Sequence, residues 1–62
     1  MPIIEVTMLQ GRTLEQKRTL VKVLTEETAR IVKCPPEAVS VLVNEVAKEN
    51  WAEDGVLFID KN

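Results

Sequence analysis

Two groups in this chain have types and spacing that suit proton transfer on a small acid. Pro2 follows the initiator methionine, and processing removes that methionine when the next residue is small. The mature chain would then begin with a prolyl secondary amine. Such an amine is basic in water, but burial and a nearby cation both disfavour its charged form. A neutral amine near physiological pH is a competent general base. Ile3 and Ile4 supply apolar walls for it. Arg12 supplies positive charge and a two-pronged grip on a carboxylate. The sequence has no histidine, so Ser-His-Asp and Cys-His catalysis are both unavailable. The lone thiol, Cys34, has no base to generate its thiolate and reads as structural.

The elements that must position these groups are legible from periodicity. Met1 to Leu9 reads as a strand, with Ile4, Val6 and Met8 on one face and Glu5 and Thr7 on the other. Gln10-Gly11-Arg12 breaks the alternation. Thr13-Leu14-Glu15-Gln16 fits a capping box, and a helical period runs from Leu14 to about Lys33. Leu20, Val21, Leu24, Thr28, Ile31 and Val32 form its apolar stripe. Lys17, Arg18, Lys22, Glu26 and Arg30 are expected mostly on the wet side. Cys34-Pro35-Pro36 stops the helix, because a residue before proline is pushed out of the α region. Pro36-Glu37-Ala38 fits a single turn. Val39 to Val46 reads as a second strand, with Val39, Val41 and Val43 facing one way and Ser40, Leu42 and Asn44 the other. Asn44 and Glu45 are expected to serve the strand end or a subunit contact. From Ala47 to Asn62 the chain suits a hairpin, or an arm reaching onto a neighbour. The fold class is therefore α/β: one βαβ unit with parallel strands and a short C-terminal hairpin or arm.

Composition narrows the partners. Sixty-two residues make one domain, with residues 1–62 as a single unit. So short a chain leaves much apolar surface wet unless a disulfide, a metal or oligomerisation intervenes. One cysteine cannot form an internal disulfide, and the lack of histidine argues against a zinc site. A homo-oligomer follows, with strand edges and bare sheet faces hidden between subunits. The net charge of −2, with scattered Lys and Arg, argues against a nucleic-acid surface. Apolar runs are too short for a membrane span, and no signal-peptide pattern opens the chain, which points to the cytoplasm.

Pro2-Ile3-Ile4, Leu9 with Gly11-Arg12, Glu15-Gln16-Lys17, Pro35, and the valine-rich second strand followed by Asn44-Glu45 and Asn50-Trp51 resemble the 4-oxalocrotonate tautomerase family. The match spans Pro2 to about Gly55. The resemblance implies cofactor-free βαβ subunits assembled as hexamers, trimers of dimers, with an amino-terminal proline as the acid–base group. It implies that Pro2 takes the hydroxyl proton of a dienol acid such as 2-hydroxymuconate and returns it to carbon, giving the conjugated ketone. Arg12 would bind the distant carboxylate and draw electron density towards it. Trp51 would keep the proline environment apolar.

Ser40 departs from the family pattern, which places a second arginine there. A neutral hydroxyl polarises a developing enolate less, at a cost of about 2–4 kcal/mol. A neighbouring subunit's Arg18 is one substitute cation. Glu53, after Asn50-Trp51-Ala52, is similar to the water-activating glutamate of a dehalogenase relative, which has an arginine where this chain has Leu9. The substrate-contacting positions are thus Arg12, Ser40, Trp51 and Leu9, with Glu53 for water activation in the alternative, a hydratase or dehalogenase of unsaturated acids. A non-catalytic oligomeric domain is the third alternative.

Overall fold

The computed structural model describes residues 1–61. Strand β1 (Ile3–Leu9) is followed by helix α1 (Leu14–Val32), a 3₁₀ turn at Pro36–Ala38 and strand β2 (Ser40–Val46). A second 3₁₀ turn (Lys48–Asn50) leads to the short strands β3 (Ala52–Glu53) and β4 (Val56–Leu57), and a third (Phe58–Asp60) ends the arm. Strands β1 and β2 pair in parallel, from Ile3 opposite Ser40 to Leu9 opposite Val46, and β3 and β4 pair antiparallel. The expected βαβ unit and C-terminal hairpin are both present.

Local chemistry sets the boundaries. β1 begins at Ile3 rather than Met1, because Pro2 has no N–H to give to a ladder, although its carbonyl accepts from the Ser40 N–H at 3.0 Å. β2 begins at Ser40 rather than Val39, whose N–H is used by the Pro36 carbonyl in closing the 3₁₀ turn. The capping box forms in full. Gln16 N–H donates to the Thr13 hydroxyl at 3.0 Å, and Thr13 N–H donates to the Gln16 side-chain oxygen at 2.8 Å. At the other end Lys33 is left-handed, with φ 59°, and the Cys34 N–H donates back to the Ala29 carbonyl. A left-handed lysine carries a Cβ clash that glycine lacks. Lys33→Gly is therefore expected to stabilise the fold by about 1 kcal/mol, less the extra chain entropy of glycine. Denaturant midpoints of both proteins at one chain concentration would test this, and an unchanged or lower midpoint would refute it.

Helix α1 covers one face of the sheet, that of Ile4, Val6, Met8, Val41, Val43 and Glu45, all half-buried. Lys17, expected on the wet side, instead lies on this buried stripe, where its ammonium meets Glu45 at 2.6 Å. Glu45 thus ties helix to sheet, a role its place near the strand end did not suggest. Asn44, on the opposite face, is exposed. Ile31 and Val32 are 64% and 53% exposed despite lying on the predicted stripe. The helix runs about 28 Å and the strands about 20 Å, so the helix is longer than the sheet it covers. On the outer surface of α1, Arg30 pairs with Glu27 and holds its carboxyl below the usual carboxylate range. This stabilisation is present at pH above the ordinary carboxylate range and fades as pH falls through the lowered value; exposure of both side chains to solvent keeps it small.

The other sheet face is bare. It presents Ile3, Glu5, Thr7 and Leu9 beside Ser40, Leu42, Asn44 and Val46, with Ile3 63% and Leu42 49% exposed. Among the described residues Ala29 alone is buried. The radius of gyration is 14.8 Å, against about 10.6 Å for a compact chain of this length. One chain therefore has half a core and a projecting arm. No helix of the described residues is long and apolar enough to cross a membrane.

Candidate active site

Pro2 lies immediately before β1, half-buried, with its carbonyl pinned by the Ser40 N–H. Met1, ahead of it, is 91% exposed. The structure thus brings Pro2 and Ser40 together at one end of the sheet. Leu9 and Arg12 lie at the other end. Leu9 pairs with Val46, the Gln10 N–H donates to the Val46 carbonyl, and Gly11 then turns the chain with φ 120°. That conformation suits glycine and no other residue, so Gly11 sets the direction in which Arg12 leaves the strand. Arg12 is exposed.

The seven residues of β1 hold the two ends about 20 Å apart. Pro2 and Arg12 of one chain therefore cannot grip one small substrate, and the described residues of a single chain enclose no pocket. Arg18, weighed as a substitute cation, is exposed on α1 and lies 3.4 Å from Glu15.

Trp51 and Glu53 belong to the arm, which departs from the Arg12 end of the sheet where β2 stops. The exposure of Ile3 and Leu42 shows that the arm does not fold back over the open face of its own sheet. Its hairpin turns on Asp54 and Gly55, both with positive φ (54° and 76°), as a two-residue mirror-image turn requires. The Phe58 N–H donates to the Trp51 carbonyl at 2.8 Å, and the two rings lie 6.1 Å apart, tilted by 56°. The Lys61 ammonium sits 4.6 Å above the Phe58 ring and 3.5 Å from the Glu53 carboxylate. Sequence reasoning missed Phe58 and Lys61. The available signal was an aromatic residue and a lysine three positions apart in the arm, and nothing in the periodicity tied them to Trp51. Cys34 is half-buried at the helix end.

Comparison with known proteins extends this geometry. Residues 2–61 match the family model of the tautomerase enzymes. A 2-hydroxymuconate tautomerase of Comamonas testosteroni is 38% identical over 56 residues, covering 90% of this chain and 89% of its own. The crystal structure of a 4-oxalocrotonate tautomerase homologue superposes with a TM-score of 0.95 at 47% identity, covering 100% of this chain and 98% of that one. A heterohexameric 4-oxalocrotonate tautomerase from Chloroflexus aurantiacus superposes with a TM-score of 0.93 at 29% identity, over 100% of both chains. A proline at position 2, a βαβ unit with one uncovered sheet face, and a sequence and fold shared with these enzymes lead to one assignment: the chain belongs to the tautomerase family and is an isomerase of that family.

Proposed function

We propose that copies of this chain assemble into a homo-oligomer whose shared sites convert small 2-hydroxy-dienoate acids to conjugated keto acids, with Pro2 as the acid–base group. The observation that carries this is the setting of Pro2. Its carbonyl is fixed by Ser40 and its ring is half-buried, while the exposed Met1 is open to removal. Removal leaves a secondary amine held at the sheet end. That nitrogen takes the substrate's hydroxyl proton as the enol oxygen becomes a carbonyl. The double bonds shift by one position, and the same proton returns to the far carbon. Nothing is oxidised and no group leaves.

Arg12 of a neighbouring copy binds the carboxylate at the far end and draws electron density along the conjugated system. Trp51 of a neighbouring arm lines the site with an apolar ring, which favours the uncharged amine. Leu9 adds apolar contact beside Arg12. Ser40 offers a neutral hydroxyl near Pro2, so charge on the substrate is met chiefly by Arg12. Glu53 faces Lys61 on its own arm, and we assign it no part in this chemistry.

We place the assembly in the cytoplasm as a hexamer, a trimer of dimers. Support for the assembly comes from the bare sheet face, the extended arm and the heterohexamer formed by the Chloroflexus relative. Leu42→Lys puts a charge in the middle of the bare face, opposite Glu5. It is expected to lower the assembly's mass by analytical ultracentrifugation at a concentration where the parent is fully assembled. An unchanged mass would show that this face is not an interface. The functional test follows loss of the 2-hydroxymuconate chromophore by ultraviolet absorbance, with intact mass measured in parallel. Loss of Met1 with catalysed ketonisation is expected. Absence of catalysis in a fully processed, assembled protein would overturn the proposal.

A further inference from the structure

We propose that Phe58 and Lys61 are positioning residues that set the orientation of the Trp51 ring, so that the arm delivers a fixed aromatic wall to a neighbour's site; this rests on the placement of Trp51 in that site. The hairpin is otherwise a poor platform. Its strands are two residues each, and Ala52, Glu53, Val56 and Leu57 are all exposed. Paired strands of that length have no independent stability in water. Something else must hold Trp51, and three contacts converge to do so.

The first is the backbone bond from Phe58 N–H to the Trp51 carbonyl at 2.8 Å, which joins the two ends of the hairpin just outside its strands. The second is the tilted ring pair, with centroids 6.1 Å apart; Trp51 and Phe58 are the two half-buried side chains of the arm from Ala52's predecessor to Lys61. Lys61 closes the third. Its ammonium lies over the Phe58 face and beside the Glu53 carboxylate, which leads the hairpin turn. Phe58 is thereby gripped between Trp51 and a cation that is itself tethered to the opposite strand. The tilted ring pair favours one orientation of the Trp51 ring, and the cation over the Phe58 face holds that ring in place against it.

Trp51 is the sole tryptophan of the chain, so its fluorescence reports the clasp directly. The test compares the assembled parent with Phe58→Leu, Lys61→Gln, Lys61→Arg and Trp51→Leu, with 2-hydroxymuconate as the probe. Phe58→Leu is expected to red-shift the emission, raise acrylamide quenching about twofold and raise KM about two- to tenfold, with kcat and the assembled mass held. Lys61→Gln should do the same more weakly. Lys61→Arg, which keeps both the cation–π contact and the ion pair, should match the parent. A fall in kcat and assembled mass with KM unchanged would overturn the proposal, leaving Phe58 a merely structural residue. If Trp51→Leu raises KM while Phe58→Leu alters neither KM nor emission, the clasp fails and the placement of Trp51 survives. If the emission shifts in Phe58→Leu but KM is unmoved there and in Trp51→Leu, the placement of Trp51 in the site fails, and this proposal with it.

Discussion

Replacing Pro2 with alanine is expected to lower kcat/KM for ketonisation of 2-hydroxymuconate by about 10²- to 10⁴-fold, the range that one positioned acid–base group supplies. The loss should fall mainly on kcat. In the proposed mechanism Pro2 moves a proton in the transition state, whereas the substrate carboxylate is gripped elsewhere, by Arg12. Alanine also leaves a small residue after Met1, so processing continues and the comparison is between two free amines. The remaining primary amine lacks the ring that fixes the nitrogen's direction. Pro2 is half-buried, and in the proposed site a guanidinium from a neighbouring copy lies across the substrate from it; both work against the protonated form. The limb of the kcat/KM–pH profile that reports this nitrogen is therefore expected below the range of an ordinary secondary amine, with activity falling as pH drops through it. Equal rates for the two proteins, or full activity in chains whose intact mass retains Met1, would remove Pro2 from the mechanism.

Arg12→Ala is expected to lower kcat/KM by roughly 30- to 1000-fold, the loss of about 2–4 kcal/mol of charge-assisted contact. The more telling result comes from combining it with Pro2→Ala. Strand β1 holds the two residues at its opposite ends, about 20 Å apart, so a site that uses both, as proposed, must draw them from different chains. Co-expressing the two defective chains should give mixed assemblies in which about one quarter of sites carry an intact Pro2 and an intact Arg12. Activity should then rise well above that of either variant alone. If both residues served a site within one chain, every site in the mixture would keep a defect. No recovery in demonstrably mixed assemblies would sink the shared-site geometry. Unequal assembly of the two chains would change the size of the gain but not its sign.

Local signals carried much of the fold. The alternation of Ile4, Val6 and Met8, the Thr13–Gln16 box and the Cys34-Pro35-Pro36 stop each act within a few residues, so the sequence shows them without a tertiary context. The same locality explains the errors. Lys17 lies among the stripe positions, yet its charge placed it in water; its apolar stem shares the stripe while its ammonium finds Glu45, 28 residues away. Ile31 and Val32 keep the helical period, but no period reveals that the helix outruns the strands it covers. The chain ends of the elements moved by one or two residues, for reasons of hydrogen-bond supply at Pro2 and Val39.

By itself the sequence determined the two long strands, the helix with its N-terminal capping box and proline stop, a hairpin or arm after them, and the chemical kinds of group available: a proline at position 2, a guanidinium after a glycine, and no imidazole. Only the tertiary structure decided how those groups stand to one another. Pairing Ile3 with Ser40 and Leu9 with Val46 is a contact across some 37 residues of chain, and it sends Pro2 and Arg12 to opposite ends of one sheet. It also leaves the arm bearing Trp51, Phe58 and Lys61 away from its own Pro2. The physical reason is that periodicity records which face a residue takes, while the distance between two residues depends on strand direction, register and length, which arise only when distant segments pack.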